Sequence, residues 1–285
     1  MPHPAYIVGG ASALAVVMGI ASVANFETSS RPDAQLVHKA EASYLFPNNL
    51  PDSLTLLPPP PAAKSPEMQE DLVARAAALK LKGTSRYAVA MSDAHRDTSS
   101  TLRAFTCALG TDISTERTPT LYKLLGFVRM DVRASANLAK RKYARKQPFR
   151  SYGSSTCSPA DEAVVQDLAS YPSARAAVGL AYGLTLAELN PSRADLIVNR
   201  GREFGESRKI CDASWQSDVN AGFKLAQEIF ARLQQSERFR RDLQSAKAEI
   251  ASELRAGTKP QHGCSFETAA LAPRNPPGTK RRGVN

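Results

Sequence analysis

The feature that most constrains the fold is a long segment with helical hydrophobic spacing, which begins at Thr118 and Pro119 and ends by about Lys146, just before Pro148. Its apolar side chains recur every three or four residues, while Lys and Arg take the opposite face. The apolar positions are Leu121, Leu124, Leu125, Val128, Val132 and Leu138. Such a stripe predicts an amphipathic helix that packs one face against a core.

Helices are also predicted on both sides of this segment. Ser65 as N-cap, Pro66 and Gly83 delimit a helix whose apolar positions are Met68, Leu72, Ala76 and Leu79. Residues 172–189 are nearly all apolar, which predicts a buried helix in which Gly179 and Gly183 allow close backbone approach. Further helices are expected from Ser158 and over 192–211, 215–234 and 236–255. Because no window alternates like a strand, we predict an all-α, single-domain helical bundle over residues 45–255.

The two ends of the chain differ from this central part. Residues 1–24 contain no Lys, Arg, Asp or Glu and include an apolar run from Ala5 to Ala24. This predicts a signal peptide, with an uncleaved membrane anchor as the alternative. Residues 25–44 resemble an extended lead-in, and residues 256–285 lack core residues and periodicity, which predicts a disordered basic tail.

The chain has four cysteines, Cys107, Cys157, Cys211 and Cys264. An exported protein reaches an oxidising compartment, where disulfides form. We favour a Cys157–Cys211 bridge, and Cys264 is the least suited structural partner because it lies in the tail. The spacings match no zinc-binding pattern, so no metal is expected.

The formal net charge is +10, and part of it is concentrated between residues 140 and 150. The basic residues there are Lys140, Arg141, Lys142, Arg145, Lys146 and Arg150. Such a charge suits anionic partners such as phosphate esters, polyanions or a membrane surface. The alternative is a solvated helix face.

Three segments combine charged and small residues in a way that suggests an oxyanion pocket between helices. They are "KRKYARKQPF" at 140–149, "YPSAR" at 171–175 and "SRKICDASWQSD" at 207–218. Ser173 lies in the first turn of the buried helix, where free amide groups and the helix dipole favour an anion. Arg208 offers a fork of donors for phosphate oxygens.

These segments resemble the signature of the class A bacterial non-specific acid phosphatases, whose superfamily includes type 2 phosphatidic acid phosphatases and vanadium haloperoxidases. The signature consists of Lys, six residues and Arg-Pro; then Pro-Ser-Gly-His; then Ser-Arg, five residues, His, three residues and Asp. This chain keeps that spacing throughout. The stretches "LPDSLTLLPPPPAAKSP" and "LTLAELNP" extend the resemblance, which covers about residues 44–250.

The resemblance implies an all-α fold, a periplasmic location, no metal or cofactor, and hydrolysis of phosphomonoesters through a phosphohistidine. Lys140, Ser173 and Arg208 match phosphate-binding positions of the family. Asp218 matches the carboxylate that orients the nucleophilic His.

The departures from the signature fall on the chemistry. Gln147 stands at the position of the second phosphate-binding Arg, Ala174 and Arg175 replace the Gly-His pair, and Ser214 replaces the nucleophilic His. The histidines of the chain are His3, His38, His95 and His262, so none lies in the signature region.

Ser214 is a weak substitute for that nucleophile, because an unactivated hydroxyl needs a general base beside it. Asp218, at i+4, is a weak base if its pKa stays near the usual value of about 4. Arg175 cannot give up its proton to a leaving group.

The sequence therefore predicts a periplasmic acid phosphatase family protein that is catalytically impaired and binds phosphate or phosphomonoesters. One alternative is a non-catalytic binding protein for phosphate or phosphorylated ligands, and another is a basic polyanion-binding surface protein. If the cleft is only inherited scaffold, Arg175 would pair with Asp218 or Asp212. We expect no nucleic-acid partner and membrane contact only through an uncleaved signal segment, and a homo-oligomer is left open.

Overall fold

The computed structural model describes residues 43–165, 168–261 and 263–272. The predicted signal peptide, most of the lead-in and residues 273–285 of the predicted tail lie outside these residues. The described part of the chain contains helices and no strand, so the all-α prediction is confirmed. None of its helices is both long enough and apolar enough to cross a bilayer.

The α-helices follow one another with short connections. In chain order they are α1 (Ser53–Leu56), α2 (Pro66–Leu79), α3 (Ser85–Ala94), α4 (Thr98–Arg103), α5 (Thr106–Leu109), α6 (Pro119–Tyr143), α7 (Pro148–Tyr152), α8 (Glu162–Val165), α9 (Ala174–Leu189), α10 (Ala194–Ile210), α11 (Gln216–Gln235), α12 (Glu237–Arg255) and α13 (Cys264–Leu271). Short 3₁₀ turns lie at Pro47–Asn49, Pro159–Asp161 and Pro191–Arg193.

Helix α9 is the centre of the bundle and packs against α6, α10 and α11. It is apolar nearly all round, so it can be enclosed on most sides. Gly201 of α10 meets α9 so closely that a Cβ atom there would lie 2.6 Å from the Gly179 carbonyl oxygen. The expected close approach at Gly179 and Gly183 is thus confirmed, and it fixes the position of the α9 N-terminus.

Two predicted faces differ from the structure. Helix α6 ends at Tyr143, because Ala144 adopts a left-handed conformation, and Leu138 is exposed while Ala139 is buried. Helix α2 buries Asp71 and Ala78, whereas Leu79 of the predicted apolar stripe is exposed. The inner face of α2 is polar because it faces charged partners on other helices.

Disulfides join Cys157 to Cys211, the favoured pair, and Cys107 to Cys264. The expectation that Cys264 is the least suited partner was wrong. Residues 264–271 form helix α13, which packs on α3, and Glu267 pairs with Arg200 at 3.2 Å. This part of the predicted tail is therefore ordered by contacts that its composition does not reveal.

Candidate active site

The N-terminus of α9 and the link between α10 and α11 meet at the centre of the candidate site. Ser173 caps α9, and its hydroxyl accepts a hydrogen bond from the Ala176 amide. Ser214, in the link, donates its hydroxyl to Ser173 Oγ over 3.2 Å. The Ser173 amide donates to the Asp218 carbonyl at 2.9 Å, so the backbone also joins these two segments. The structure thus brings Ser173, Ser214 and Asp218 together.

The end of α10 forms a tight turn that fixes Ser214. The Ala213 and Ser214 amides both donate to the Arg208 carbonyl, at 3.0 and 3.2 Å, and Asp212, which directly precedes Ala213, has a left-handed φ of 56°. Arg208 and Ser214 are both buried. The turn therefore holds the Ser214 hydroxyl beside the α9 N-terminus.

Lys140 and Gln147 approach the same site from α6 and from the start of α7. Lys140 Nζ donates to the Ala169 carbonyl at 2.5 Å, and Gln147 Nε2 donates to the Leu168 carbonyl. Burial and the nearby Arg208 lower the pKa of Lys140 to about 8, although Asp218 opposes the shift. An anion that reached Lys140 would compete with a backbone carbonyl for this ammonium group.

Arg175 lies in the first turn of α9, directly after Ala174, and points to the C-terminal end of α3. Its Nη2 donates to the carbonyls of Asp93 and His95, at 2.7 and 2.8 Å. Its guanidinium carbon lies 5.2 Å from the centre of the Phe204 ring. The predicted pairing of Arg175 with Asp218 or Asp212 was therefore wrong, because both carboxylates are bound by other arginines.

Asp218 is fully buried and uses both of its carboxylate oxygens. Oδ1 accepts from Arg145 Nη1 at 2.6 Å, and Oδ2 accepts from the Trp215 amide at 2.8 Å. Burial raises the pKa of the Asp218 carboxyl, while Arg145 and the Trp215 amide oppose that rise. In the family signature this carboxylate orients a histidine. Here it accepts hydrogen bonds from Arg145 and from the Trp215 amide at the start of α11.

Arg145 joins two carboxylates, a role that the sequence did not predict. Its second nitrogen, Nη2, donates to Asp71 Oδ2 at 2.8 Å, and Asp71 Oδ1 accepts from the Ser217 amide at 2.8 Å. Arg75 makes a bidentate pair with Asp212, at 2.7 and 2.8 Å. Asp71 and Arg75 are four residues apart on α2 and therefore lie on the same face of that helix. This spacing was the sequence signal that could have indicated an inward-facing pair of charges.

The chemistry open to these groups is limited. The hydroxyl of Ser214 contacts Ser173 and, among the described residues, has no carboxylate or imidazole as a hydrogen-bond partner. His95 is exposed at the end of α3 and contributes its carbonyl to Arg175. Within the described ranges, no group of three His, Cys, Asp or Glu side chains could hold a metal ion. Among the described residues, the site therefore brings together cations and hydroxyl groups, with the Ser214 hydroxyl bound to another hydroxyl.

Known proteins that resemble the chain share one activity in their names. The chain is 37% identical over 221 residues to a non-specific acid phosphatase of Providencia stuartii, covering 77% of this chain and 89% of that protein. It is 35% identical over 217 residues to a non-specific acid phosphatase of Salmonella typhimurium, covering 76% and 87% of the two chains. An acid phosphatase of Zymomonas mobilis is 34% identical over 220 residues, covering 77% and 83%. No protein-family model matches the chain.

Proposed function

The chain belongs to the non-specific acid phosphatase family, and from this premise we propose that it is a periplasmic class A member with a retained phosphate-binding pocket and severely reduced phosphomonoesterase activity. The family makes a phosphomonoester the expected ligand. The residues at the signature positions make its hydrolysis slow or absent.

The proposed pocket is formed by Lys140 of α6, Ser173 at the N-cap of α9 and Arg208 of α10. Lys140 and Arg208 are close enough for their charges to interact, and Ser173 adds a hydroxyl and the start of a helix dipole. Two cations and a helix N-terminus are a favourable environment for a phosphate group. With a pKa of about 8, most Lys140 ammonium groups stay charged at pH 7.

The hydrogen bonding of Ser214 is the observation that carries the proposed loss of catalysis. Its hydroxyl faces Ser173, while both oxygens of Asp218 are bound by Arg145 and the Trp215 amide. Among the residues that the structure describes, no base is therefore placed to remove the hydroxyl proton, although a serine nucleophile requires one. Losing general acid–base help alone typically costs about 10² to 10⁴ in rate.

Arg175 explains why the leaving group would receive no help either. A guanidinium stays protonated over the whole useful pH range and cannot act as a general acid. Burial, followed by the charges of Arg208 and neighbouring arginines, lowers the pKa of Arg175, but its Nη2 group donates to the carbonyls of Asp93 and His95 rather than to a leaving group. In the proposed enzyme, both proton-transfer roles of the family's histidines are unfilled.

Periplasmic location is supported by the uncharged apolar run at residues 5–24 and by the two disulfides. Signal segments direct export, and disulfides persist in oxidising compartments. The location remains part of the proposal.

A non-catalytic binder of phosphate or phosphorylated ligands is the second candidate function. It is favoured because the site contains the buried cation Arg208, while the Ser214 hydroxyl has no base as a partner among the described residues. Measurements of phosphate binding and of turnover distinguish a slow enzyme from a binder, because a binder binds phosphate and does not hydrolyse phosphomonoesters.

Two measurements on the same purified protein test the proposal. Calorimetric titration with orthophosphate should give a binding isotherm, and Arg208→Ala should weaken the affinity at least about tenfold by removing a charge-assisted contact. A chromogenic phosphomonoester, assayed from pH 4 to pH 8, should show at most slow turnover that Ser214→Ala leaves unchanged. Rapid turnover that Ser214→Ala abolishes would contradict the proposed impairment, and absence of phosphate binding would contradict the pocket.

A further inference from the structure

A second group of positive charges lies beside the proposed phosphate pocket. Arg96 belongs to the connection between α3 and α4, Arg129 and Arg133 lie one turn apart on α6, and Arg175 is in the first turn of α9. Together these four residues are called the arginine cluster. Arg208 of the pocket adjoins it, because Arg208 and Arg96 line the same small cavity.

The cluster is held together by backbone groups. Arg129 Nη2 donates to the Arg96 carbonyl at 3.1 Å, and Arg129 Nη1 donates to Thr98 Oγ1 at 3.2 Å. Arg175 donates to the neighbouring carbonyls of Asp93 and His95. The segment from Asp93 to Thr98 therefore binds Arg129 of α6 and Arg175 of α9. It also contributes Arg96 to the cluster.

Among the described residues, no carboxylate is in direct contact with these arginines. In the described part of the chain, none of the four arginines takes part in a salt bridge, although most buried or half-buried cations in proteins are paired. Asp93, whose charge acts on Arg175, directs its two oxygens to Arg200 and Ser207. Partial burial and repulsion by Arg129 and Arg96 lower the pKa of Arg133.

Two buried polar atoms beside the cluster also lack a hydrogen-bond partner. Among the described residues, neither Arg175 Nε nor Tyr182 Oη is hydrogen-bonded. Arg175 and Tyr182 are seven residues apart and share one face of α9, and the charges of Arg129, Arg133 and Arg175 all act on Tyr182. Buried polar atoms without partners are rare in proteins, so their presence here points to a bound group.

We propose that the arginine cluster binds an oligophosphate, a chain of at least two phosphoryl groups, whose terminal group occupies the Lys140–Arg208 pocket. This inference rests on the proposed pocket for one end of the ligand. Guanidinium groups match phosphoryl oxygens with paired hydrogen bonds, and four of them suit a ligand with several negative charges. Arg133 is exposed and Arg96 and Arg129 are half-buried, so the cluster is open to an anion from solvent.

Calorimetry with three inorganic anions tests this proposal on the full chain at physiological salt. Tripolyphosphate and pyrophosphate should bind at least about tenfold more tightly than orthophosphate, because only they reach both groups of cations. The Arg129→Gln, Arg133→Gln double variant should lose at least about tenfold in tripolyphosphate affinity and change orthophosphate affinity less than about threefold. Arg133 is exposed and makes no hydrogen bond to another described residue, so Arg133→Gln alone provides a second variant if the double variant is unstable.

The matched control is Arg240→Gln with Arg241→Gln, which removes the same charge from the exposed face of α12. It should leave the tripolyphosphate affinity within about threefold of the unmodified protein. Equal affinities for all three anions, or equal losses in the control and in the cluster variant, would overturn the proposal. If orthophosphate fails to bind while tripolyphosphate binding still depends on Arg129 and Arg133, the cluster stands and the pocket proposal fails.

Discussion

Arg145 pairs with Asp218 of the candidate site and Arg175 lies in the first turn of α9, but different groups surround their charges. Arg145 is enclosed by Asp71 and Asp218, at 2.8 and 2.6 Å, and all three side chains are almost completely buried. Among the described residues, Arg175 donates its hydrogen bonds to carbonyl oxygens, and its charged neighbours are mostly other arginines. The first arrangement is complete without a ligand, whereas the second has positive charge in excess. The difference suggests that Arg145 stabilises the fold and that Arg175 faces a ligand.

Replacing Arg145 should produce the largest loss of stability. Arg145→Met leaves Asp71 and Asp218 buried without their cation, and breaking a buried pair in this way costs about 3 to 5 kcal/mol. Without Arg145 the pKa of Asp218, already raised by burial, rises further. A raised pKa favours the folded state at lower pH, so the loss should shrink between pH 7 and pH 5. Urea denaturation at the two pH values measures both effects.

Arg129→Met is the matched control, since it removes an arginine whose hydrogen-bond partners in the described part of the chain are Thr98 Oγ1 and the Arg96 carbonyl. Its free energy of unfolding should change by less than about 1 kcal/mol. If Arg145→Met cost no more than this control, the contrast between the two groups of arginines would be wrong.

Replacing Lys140 should have a smaller effect of opposite sign. Burial holds the pKa of Lys140 at about 8, below its ordinary value of 10.5, so the charged form opposes folding below pH 8. Lys140→Met removes that cost but also the hydrogen bond to Ala169, which leaves a net gain of about 1 to 2 kcal/mol at pH 7. The gain should diminish as the pH rises above 8, where the native amine is neutral. Thermal unfolding across this range measures it, and a destabilised variant at pH 7 would show that Lys140 already has a compensating partner.

The sequence predicts the parts of the fold that depend on local periodicity. The buried stripe of α6 and the apolar helix α9 follow from spacing alone, and the Gly179 contact follows from the small residues on α9. The inner face of α2 does not follow from spacing. Asp71 and Arg75 bind Arg145 and Asp212, which lie 74 and 137 residues away in the sequence. Cys264 was misjudged for a similar reason, since its bridge to Cys107 spans 157 residues.

The candidate site shows the same division. Motif spacing placed Lys140, Ser173, Arg208, Ser214 and Asp218 in one site, where the structure brings them together. Motif spacing could not give the direction of the Arg175 side chain, because the carbonyls that bind it belong to α3 and the residue after it, a region with no predicted helix. Side-chain direction depends on tertiary neighbours, which a pattern within one segment does not contain.

Restoration of the missing histidines tests the central claim, that the fold has kept a phosphate site and lost its catalytic groups. The variant combines Ser214→His, Arg175→His and Gln147→Arg, and its control carries Gln in place of His at position 214. Once folding is verified by circular dichroism, turnover of a chromogenic phosphomonoester should rise at least about 10²-fold over the unmodified protein and should be absent from the control. A folded, phosphate-binding triple variant with no gain in turnover would contradict the claim.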